Sequence, residues 1–381
     1  MKNNTSREFQ VFVKPVSAEC NLGCGYCYYL EKDNLYPSLG SKRMTDEVLE
    51  EYIIQHIKAS SERNIFFSWH GGEPVLAGLD FFRKVVLLQK KHKPADRNIV
   101  NGIQTNATLL DDEFCRFLAG ENFFAGVSID GPEHLHNKFR ISKNKSGSFG
   151  KVLYGYNLLR KYNVSTEILT VVSAENMQFP IDVYNFLKSL RSGFITFLPL
   201  VQRDPSSEAG VSRISVSPKA FGSFLKTVFD EWSSKDIGTI KIQIIEEAAR
   251  TAFGQDHTLC IFKKTCGGVP VVEYNGDVYS CDHYVNTEHL IGNINESTIS
   301  EILDSPEQLL FGESKLNTLP EYCLICEVRE MCNGECPKNR FANSPSGEPG
   351  LNYLCPAYKS FFNHITPFVE AIKEEYGRKN F

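Results

Sequence analysis

Six short apolar runs, each followed by a stretch of helical periodicity, fill the first half of the 381-residue chain. The runs are Phe9–Val13, Ile65–Trp69, Ile99–Gln104, Phe124–Ile129, Glu167–Val172 and Ile195–Leu198. Between them lie the periodic segments Asp46–Ala59, Asp80–Lys91, Asp111–Ala119, Gly150–Tyr162 and Ile181–Leu190. Strand–helix alternation predicts an α/β fold built of βαβ units around a parallel sheet. Six units suit a partial (β/α)6 barrel; an open doubly wound sheet fits the same alternation. The unusual residues follow the strands: a cysteine loop, then HGGEP (His70–Pro74), QTNAT (Gln104–Thr108), SIDGP (Ser128–Pro132), SAEN (Ser173–Asn176) and PLVQR (Pro199–Arg203). All therefore sit at the C-terminal ends of strands, where barrels and open α/β sheets alike bind ligands. SKNKSGS (142–148) and RDPSSEAGVS (203–212) read as surface loops. A helix over Pro218–Ser233 closes the alternating region, and IIEEAARTAFG (244–254) reads as a bridging helix. Beyond it, Asn275-Gly276 between two alternating runs predicts a hairpin.

A net charge of −5 leaves no basic footprint, which argues against nucleic acid as a partner. No run of 18 apolar residues appears, so no membrane span is expected, and the polar start MKNNTSREFQ lacks a signal-peptide core. These features point to the cytoplasm. In that reducing compartment the twelve cysteines are poor disulfide candidates and good metal ligands. Cys115, in the helical run DDEFCRFLAG, is the exception and is expected to be a packed core thiol.

Cys20, Cys24 and Cys27 are spaced C-x3-C-x2-C just after the first strand. The eight later cysteines read Cys260-x5-Cys266-x14-Cys281, Cys323-x2-Cys326-x5-Cys332-x3-Cys336 and Cys355, enough for two four-ligand sites. Zinc and iron–sulfur cubanes both take four cysteines, so the count leaves the metal open. The N-terminal loop has three, and a cubane held by three cysteines keeps one iron free. HGGEP offers a glycine backbone that a ligand can approach closely, with Glu73 able to receive an ammonium group. Both suit an amino-acid-like cofactor chelating the free iron.

C-x3-C-x2-C with Tyr26 before its last cysteine, followed by GGEP at the second strand, resembles the radical S-adenosylmethionine (SAM) enzymes. Cys266-x9-Gly276-x4-Cys281, the Cys323 to Cys336 cluster and Cys355 resemble the seven-cysteine SPASM signature, with Cys260 as an eighth ligand. QTNAT, SIDGP, NGDVYSCDHYV, LIGNI, GECPKNR and GLNYLCPAY are similar to the anaerobic sulfatase-maturating enzymes. Those enzymes oxidise a cysteine or serine of a sulfatase to Cα-formylglycine. Ala107 departs from the pattern, since many relatives carry glycine after QTN.

The resemblance implies a partial radical SAM barrel over residues 1–235, a bridging segment over 236–259 and a SPASM domain over 260–381. It implies three [4Fe–4S] clusters. Cys20, Cys24 and Cys27 would hold the one that binds SAM. Cys260, Cys266, Cys281 and Cys336 would hold the first auxiliary cluster; Cys323, Cys326, Cys332 and Cys355 would hold the second. Spacing alone would instead pair Cys336 with its neighbours. Tyr26, Gly71, Gly72, Glu73, Ser128, Arg140 and Leu200 fall where the family contacts SAM. Asp282, which alone would read as a turn residue, falls where relatives place their general base. A carboxylate beside an electron-accepting cluster can take the substrate proton as the electron leaves.

The implied partners are an unfolded or nascent sulfatase polypeptide and a low-potential donor of flavodoxin or ferredoxin type. His70 and Asp130 read equally as structural residues, and Lys338 and Arg340 carry no assignment. Two other functions remain in view at this stage. One is a SPASM maturase that crosslinks a peptide; it often carries an N-terminal recognition domain, for which the few residues before the first strand leave no room. The other is a non-catalytic zinc or iron–sulfur scaffold, which needs neither the three-cysteine loop nor GGEP.

Overall fold

The computed structural model describes residues 9–36 and 42–379. Residues 1–8, 37–41 and 380–381, and with them most of the polar N-terminal segment, lie outside the described residues. The chain divides into two compact units. The first comprises Met1–Ser128, Phe139–Thr166 and Gly267–Gly312; the second comprises Ile129–Lys138, Glu167–Cys266 and Glu313–Phe381.

In chain order the strands that matter are β1 (Val11–Lys14), β2 (Asn64–Trp69), β3 (Asn98–Thr105), β4 (Phe124–Ser128), β5 (Ser165–Val172), β6 (Phe194–Pro199), β7 (Lys241–Ile242), β8 (Val271–Glu273), β9 (Asp277–Tyr279) and β10 (Leu290–Asn293). In the first unit β1 to β4 pair side by side in parallel, as the alternation predicts. Val11, Val13, Phe67, Trp69, Ala125 and Val127 are completely buried on these strands. Apart from Ala125, each of these large apolar side chains stabilises the sheet by about 1.5–3 kcal/mol. The helices Asp46–Ala59, Leu79–His92, Asp112–Gly120 and Phe149–Lys161 match the periodic segments to within a residue or two at each end. Two are capped by the residue before them: Thr45 accepts from Val48 N, and Asp111 accepts from Phe114 N at 2.8 Å. Cys115, on the third of these helices, is fully buried.

The predicted hairpin forms, with Gly276 at a left-handed φ of 89° between β8 and β9. Its place is not one that periodicity reveals. β8 pairs in parallel with β1, aligning Phe12 with Val271, Val13 with Val272 and Lys14 with Glu273. A segment about 260 residues downstream thereby extends the same sheet.

In the second unit β5, β6 and β7 pair in parallel, through Ile168↔Ile195 and Phe194↔Lys241 among others. The helix Pro218–Lys235 starts at a proline, with Ser217 accepting from Ala220 N. It packs on the long helix Cys355–Lys379, where the Phe229 ring meets Phe368 at 5.6 Å. Asp130 anchors a turn here, its carboxylate accepting from Val171 N at 3.0 Å. Among the described residues no helix is long and apolar enough to cross a membrane.

Candidate active site

The cysteine loop leaves β1 and is held by backbone. Gly23 N donates to Ile141 O at 2.8 Å, Gly25 N donates to Phe139 O at 3.0 Å, and Cys27 N closes a turn on Cys24 O. Asn106, from the loop after β3, donates through Nδ2 to Asn21 Oδ1 at 2.9 Å and toward Cys20 Sγ at 3.7 Å. All three cysteines are partly exposed. Burial, only partly offset by the Leu22 amide, pushes the Cys20 thiol up to about 11.

The glycines of HGGEP serve this loop. A Cβ on Gly71, whose φ is +126°, would lie 2.8 Å from Ser17 O, and one on Gly72 would lie 2.1 Å from Glu19 O. Only glycine lets the two loops touch here. Gly72 N and Glu73 N then donate to Ser17 O and Glu19 O at 2.8 and 2.9 Å. Glu73 is fully buried. Its carboxylate accepts from Val75 N at 3.1 Å, Thr105 Oγ1 at 2.7 Å and Asn106 N at 2.7 Å. Three of about four lone-pair sites are thus filled, and one remains for a further donor. Burial raises its pKa to about 7 against those hydrogen bonds.

Tyr26 and Arg140 come together, the guanidinium 5.5 Å from the ring centre. Ser128 ends β4 and its hydroxyl accepts from Gln104 Nε2 at 3.1 Å. Leu200 belongs to the second unit, where its amide donates to Val172 O at 2.8 Å.

Asp282 directly follows Cys281 at the end of β9 and is 8% exposed. Because β8 lies on β1, its neighbour is Lys14, itself 1% exposed, with Nζ 2.6 Å from Asp282 Oδ1. The hydroxyl of Tyr28, the residue after Cys27, donates to Oδ2. Burial alone would raise the Asp282 pKa, but the charges of Lys14 and His283 and the two hydrogen bonds outweigh it and hold the carboxyl well below its usual range. His70 stacks on Phe12 with ring centres 4.1 Å apart. Loss of solvent around the ring and the Lys14 charge push its pKa down to about 3, so it is a neutral neighbour of this pair. Glu273 lies alongside, accepting from the Tyr29 hydroxyl, and burial raises its pKa. Lys14 and Tyr28 escape sequence reasoning; the available signals are a lysine ending a buried strand and an aromatic beside a cysteine of the three-cysteine loop.

Of the eight later cysteines, Cys281 belongs to the first unit and the other seven to the second. Cys323, Cys326, Cys332 and Cys355 line one cavity. Burial pushes the Cys332 thiol up to about 12 and those of Cys355 and Cys260 up to about 11. Such thiols keep their protons until a metal displaces them. Among the described residues no three His, Cys, Asp or Glu side chains are set to hold a single metal ion. A four-iron cubane bonds each cysteine to a different iron and tolerates a wider set. A buried cation and a half-buried one speak for such an anionic occupant. Lys315 is completely buried, yet among the described residues Nζ donates only to Cys260 O and Ile261 O, at 3.0 and 2.7 Å. Arg340 donates to the carbonyls of Lys315, Asn333, Gly334 and Glu335. A buried cation without an anion is costly, and metal-bound thiolates would supply the missing charge.

Residues 15–187 match the Radical SAM superfamily, and residues 266–327 match an iron-sulfur cluster-binding domain, SPASM. The chain is 43% identical over 383 residues to a serine-type anaerobic sulfatase-maturating enzyme of Bacteroides thetaiotaomicron, covering 97% of this chain and 92% of that one. The chain belongs to the anaerobic sulfatase-maturating enzymes. A cysteine-type member from Clostridium novyi is 32% identical, over 93% of this chain and 95% of its own. The solved structure of native anSMEcpe with bound AdoMet and the Cp18Cys peptide superposes with a TM-score of 0.86 at 31% identity, over 96% and 99% of the two chains. This anaerobic sulfatase-maturating enzyme is thus a radical SAM enzyme with a SPASM domain, an α/β protein of partial-barrel type that uses SAM and iron–sulfur clusters.

Proposed function

We propose that the enzyme oxidises a serine or cysteine side chain in a sulfatase active-site segment to Cα-formylglycine. The observation that carries this reading is the buried Lys14–Asp282–Tyr28 cluster, set between a ligand of the N-terminal loop and a ligand of the SPASM region. A non-catalytic scaffold does not call for an ionised carboxylate there.

The proposed ligand sets are Cys20, Cys24 and Cys27 for the SAM-binding cluster, then Cys260, Cys266, Cys281 and Cys336, and Cys323, Cys326, Cys332 and Cys355, for two auxiliary clusters. Three [4Fe–4S] clusters correspond to about twelve irons. When bound, SAM and the clusters supply a carbon radical that takes a hydrogen atom from the substrate Cβ, and an acceptor for the electron that follows. Asp282 takes the remaining hydroxyl or thiol proton. One hydrogen atom, one proton and one electron together turn the alcohol into an aldehyde, or the thiol into a thioaldehyde that water hydrolyses. Lys14 keeps the carboxylate ionised before transfer, and the Tyr28 hydroxyl fixes Oδ2. The fourth acceptor site of Glu73 suits the SAM ammonium group. Tyr26, Gly71, Gly72, Ser128, Arg140 and Leu200 complete the proposed SAM contacts.

The substrate would be a nascent or unfolded sulfatase chain, the electron source a flavodoxin or ferredoxin, and the functional division 1–235, 236–259 and 260–381. Asp282→Asn tests the base. It should retain its iron and its SAM cleavage but lose most aldehyde product; full product would remove Asp282 from the role.

A further inference from the structure

Lys315 and Arg340 have no part in the chemistry above, yet they are the most unusual cations of the second unit. Lys315 sits on the helix Pro306–Asn317 with its whole side chain inside the protein. Its ammonium is bonded to Cys260 O and is close enough to interact electrostatically with Cys260, Cys266 and Cys336, the cysteines this unit contributes to the first auxiliary set. Arg340 is close enough to interact electrostatically with Cys266 from the first set and with Cys323 and Cys332 from the second. The two cations are joined, since Arg340 Nη1 donates to Lys315 O at 2.5 Å.

Neither has a carboxylate partner among the described residues. Glu335, the nearest acid in sequence to Arg340, turns its Oε2 to Asn339 and Asn352 at 3.2 and 2.5 Å. The backbone is bent to hold the guanidinium. Asn333, Gly334 and Glu335 are all left-handed, with φ of 46°, 71° and 51°, and their carbonyls converge on it. A Cβ on Gly334 would lie 2.6 Å from Arg340 Nη2. Left-handed backbone at Asn333 and Glu335 is unfavourable, and the guanidinium repays it by linking three carbonyls. Carbonyls orient a cation but do not neutralise it.

We propose that Lys315 and Arg340 are fixed countercharges that raise the reduction potentials of the auxiliary clusters and so make them electron acceptors. A cluster gains one negative charge on reduction, and a buried cation stabilises the reduced state more than the oxidised one. Lys315 acts on the first auxiliary cluster, and Arg340 on both. They are positioning residues that touch neither substrate nor SAM. The inference rests on the cysteine assignment of the preceding section.

The test is a redox titration of the anaerobically reconstituted full-length chain, followed by electron paramagnetic resonance. Cys20, Cys24 and Cys27 are replaced by alanine so that only auxiliary clusters report. Lys315→Met should lower one potential by enough to change the reduced-to-oxidised ratio at least tenfold, about 59 mV for a one-electron couple. Lys315→Arg should stay near the parent, and Arg340→Gln should lower both potentials. If Lys315→Met alone loses its cluster while Lys315→Arg keeps it, the need for charge is upheld. Loss in both variants makes the site one of packing and overturns the proposal, as does an unchanged potential with the clusters in place. A parent chain with no reducible iron would overturn the cysteine assignment itself, and this inference with it.

Discussion

Replacing Lys14 by methionine strands the Asp282 carboxylate. The two charged atoms are 2.6 Å apart, and their side chains are only 2% and 12% exposed. At that distance and an effective dielectric constant near 20, their attraction is about 6 kcal/mol. Part of this offsets the cost of burying both ions, and part of the loss is softened by Tyr28 and His283, which remain. Breaking a buried pair from one side costs about 3–5 kcal/mol; the surviving partners place this case near 3. A chain carrying clusters does not unfold as a simple two-state system, so the suitable readout is an unfolding rate. In fixed urea, followed by tryptophan fluorescence, Lys14→Met should unfold roughly 100-fold faster if the pair is lost in the transition state. Adding Asp282→Asn removes the stranded charge and should recover most of the difference. The coupling between the two substitutions then measures the pair directly. A rate within about fivefold of the parent, or additive effects in the double variant, would refute the argument that this pair is buried and mutually dependent.

Three further outcomes follow from the geometry. Gly72→Ala drives a Cβ into Glu19 O, 2.1 Å away, beside Cys20; iron analysis should show about one third of the metal lost, and SAM cleavage abolished, with the auxiliary clusters intact. His56 is 1% exposed and burial drives its pKa down to about 3. Its folded value is thus depressed below the unfolded one, so the stability it contributes is full above about pH 6.5 and is lost as pH falls toward 3. From pH 7 to pH 5 that loss is about 2 kcal/mol, and His56→Leu should flatten this part of the stability profile. Ala107 adopts a φ of 59°, so Ala107→Gly should raise the melting temperature slightly, by less than about 1 kcal/mol of stability; a fall would mean that the buried methyl outweighs the strain.

The strand–helix alternation and both cysteine patterns were legible because each rests on local spacing. The parallel strands β1 to β4 and the helices that accompany them came from periodicity, whereas Asp282 came from the family resemblance, since its place after Cys281 reads by itself as a turn. Lys14 was not legible as its partner. The two meet only because β8 adds to the edge of β1, a pairing across some 260 positions that leaves no mark in either local pattern. The glycines of HGGEP were read as room for a ligand. Their close approach is to the backbone at Ser17 and Glu19, which shapes the cysteine loop from behind. Arg340 carried no assignment because a lone arginine in GECPKNR looks solvated until the carbonyls around it are seen. Lys315 was hidden in the same way, by a helix that reads as ordinary and amphipathic.

The account turns on one product. Synthetic sulfatase peptides in serine and cysteine versions, incubated anaerobically with the reconstituted enzyme, SAM and dithionite, should be read by mass spectrometry. The serine peptide comes first, given the 43% identity to a serine-type relative. It should lose two hydrogens, and the cysteine peptide should show the thiol-to-aldehyde change, each product trapped by a hydrazide. Unchanged peptides alongside brisk release of 5′-deoxyadenosine would contradict formylglycine formation and point to another peptide as the substrate.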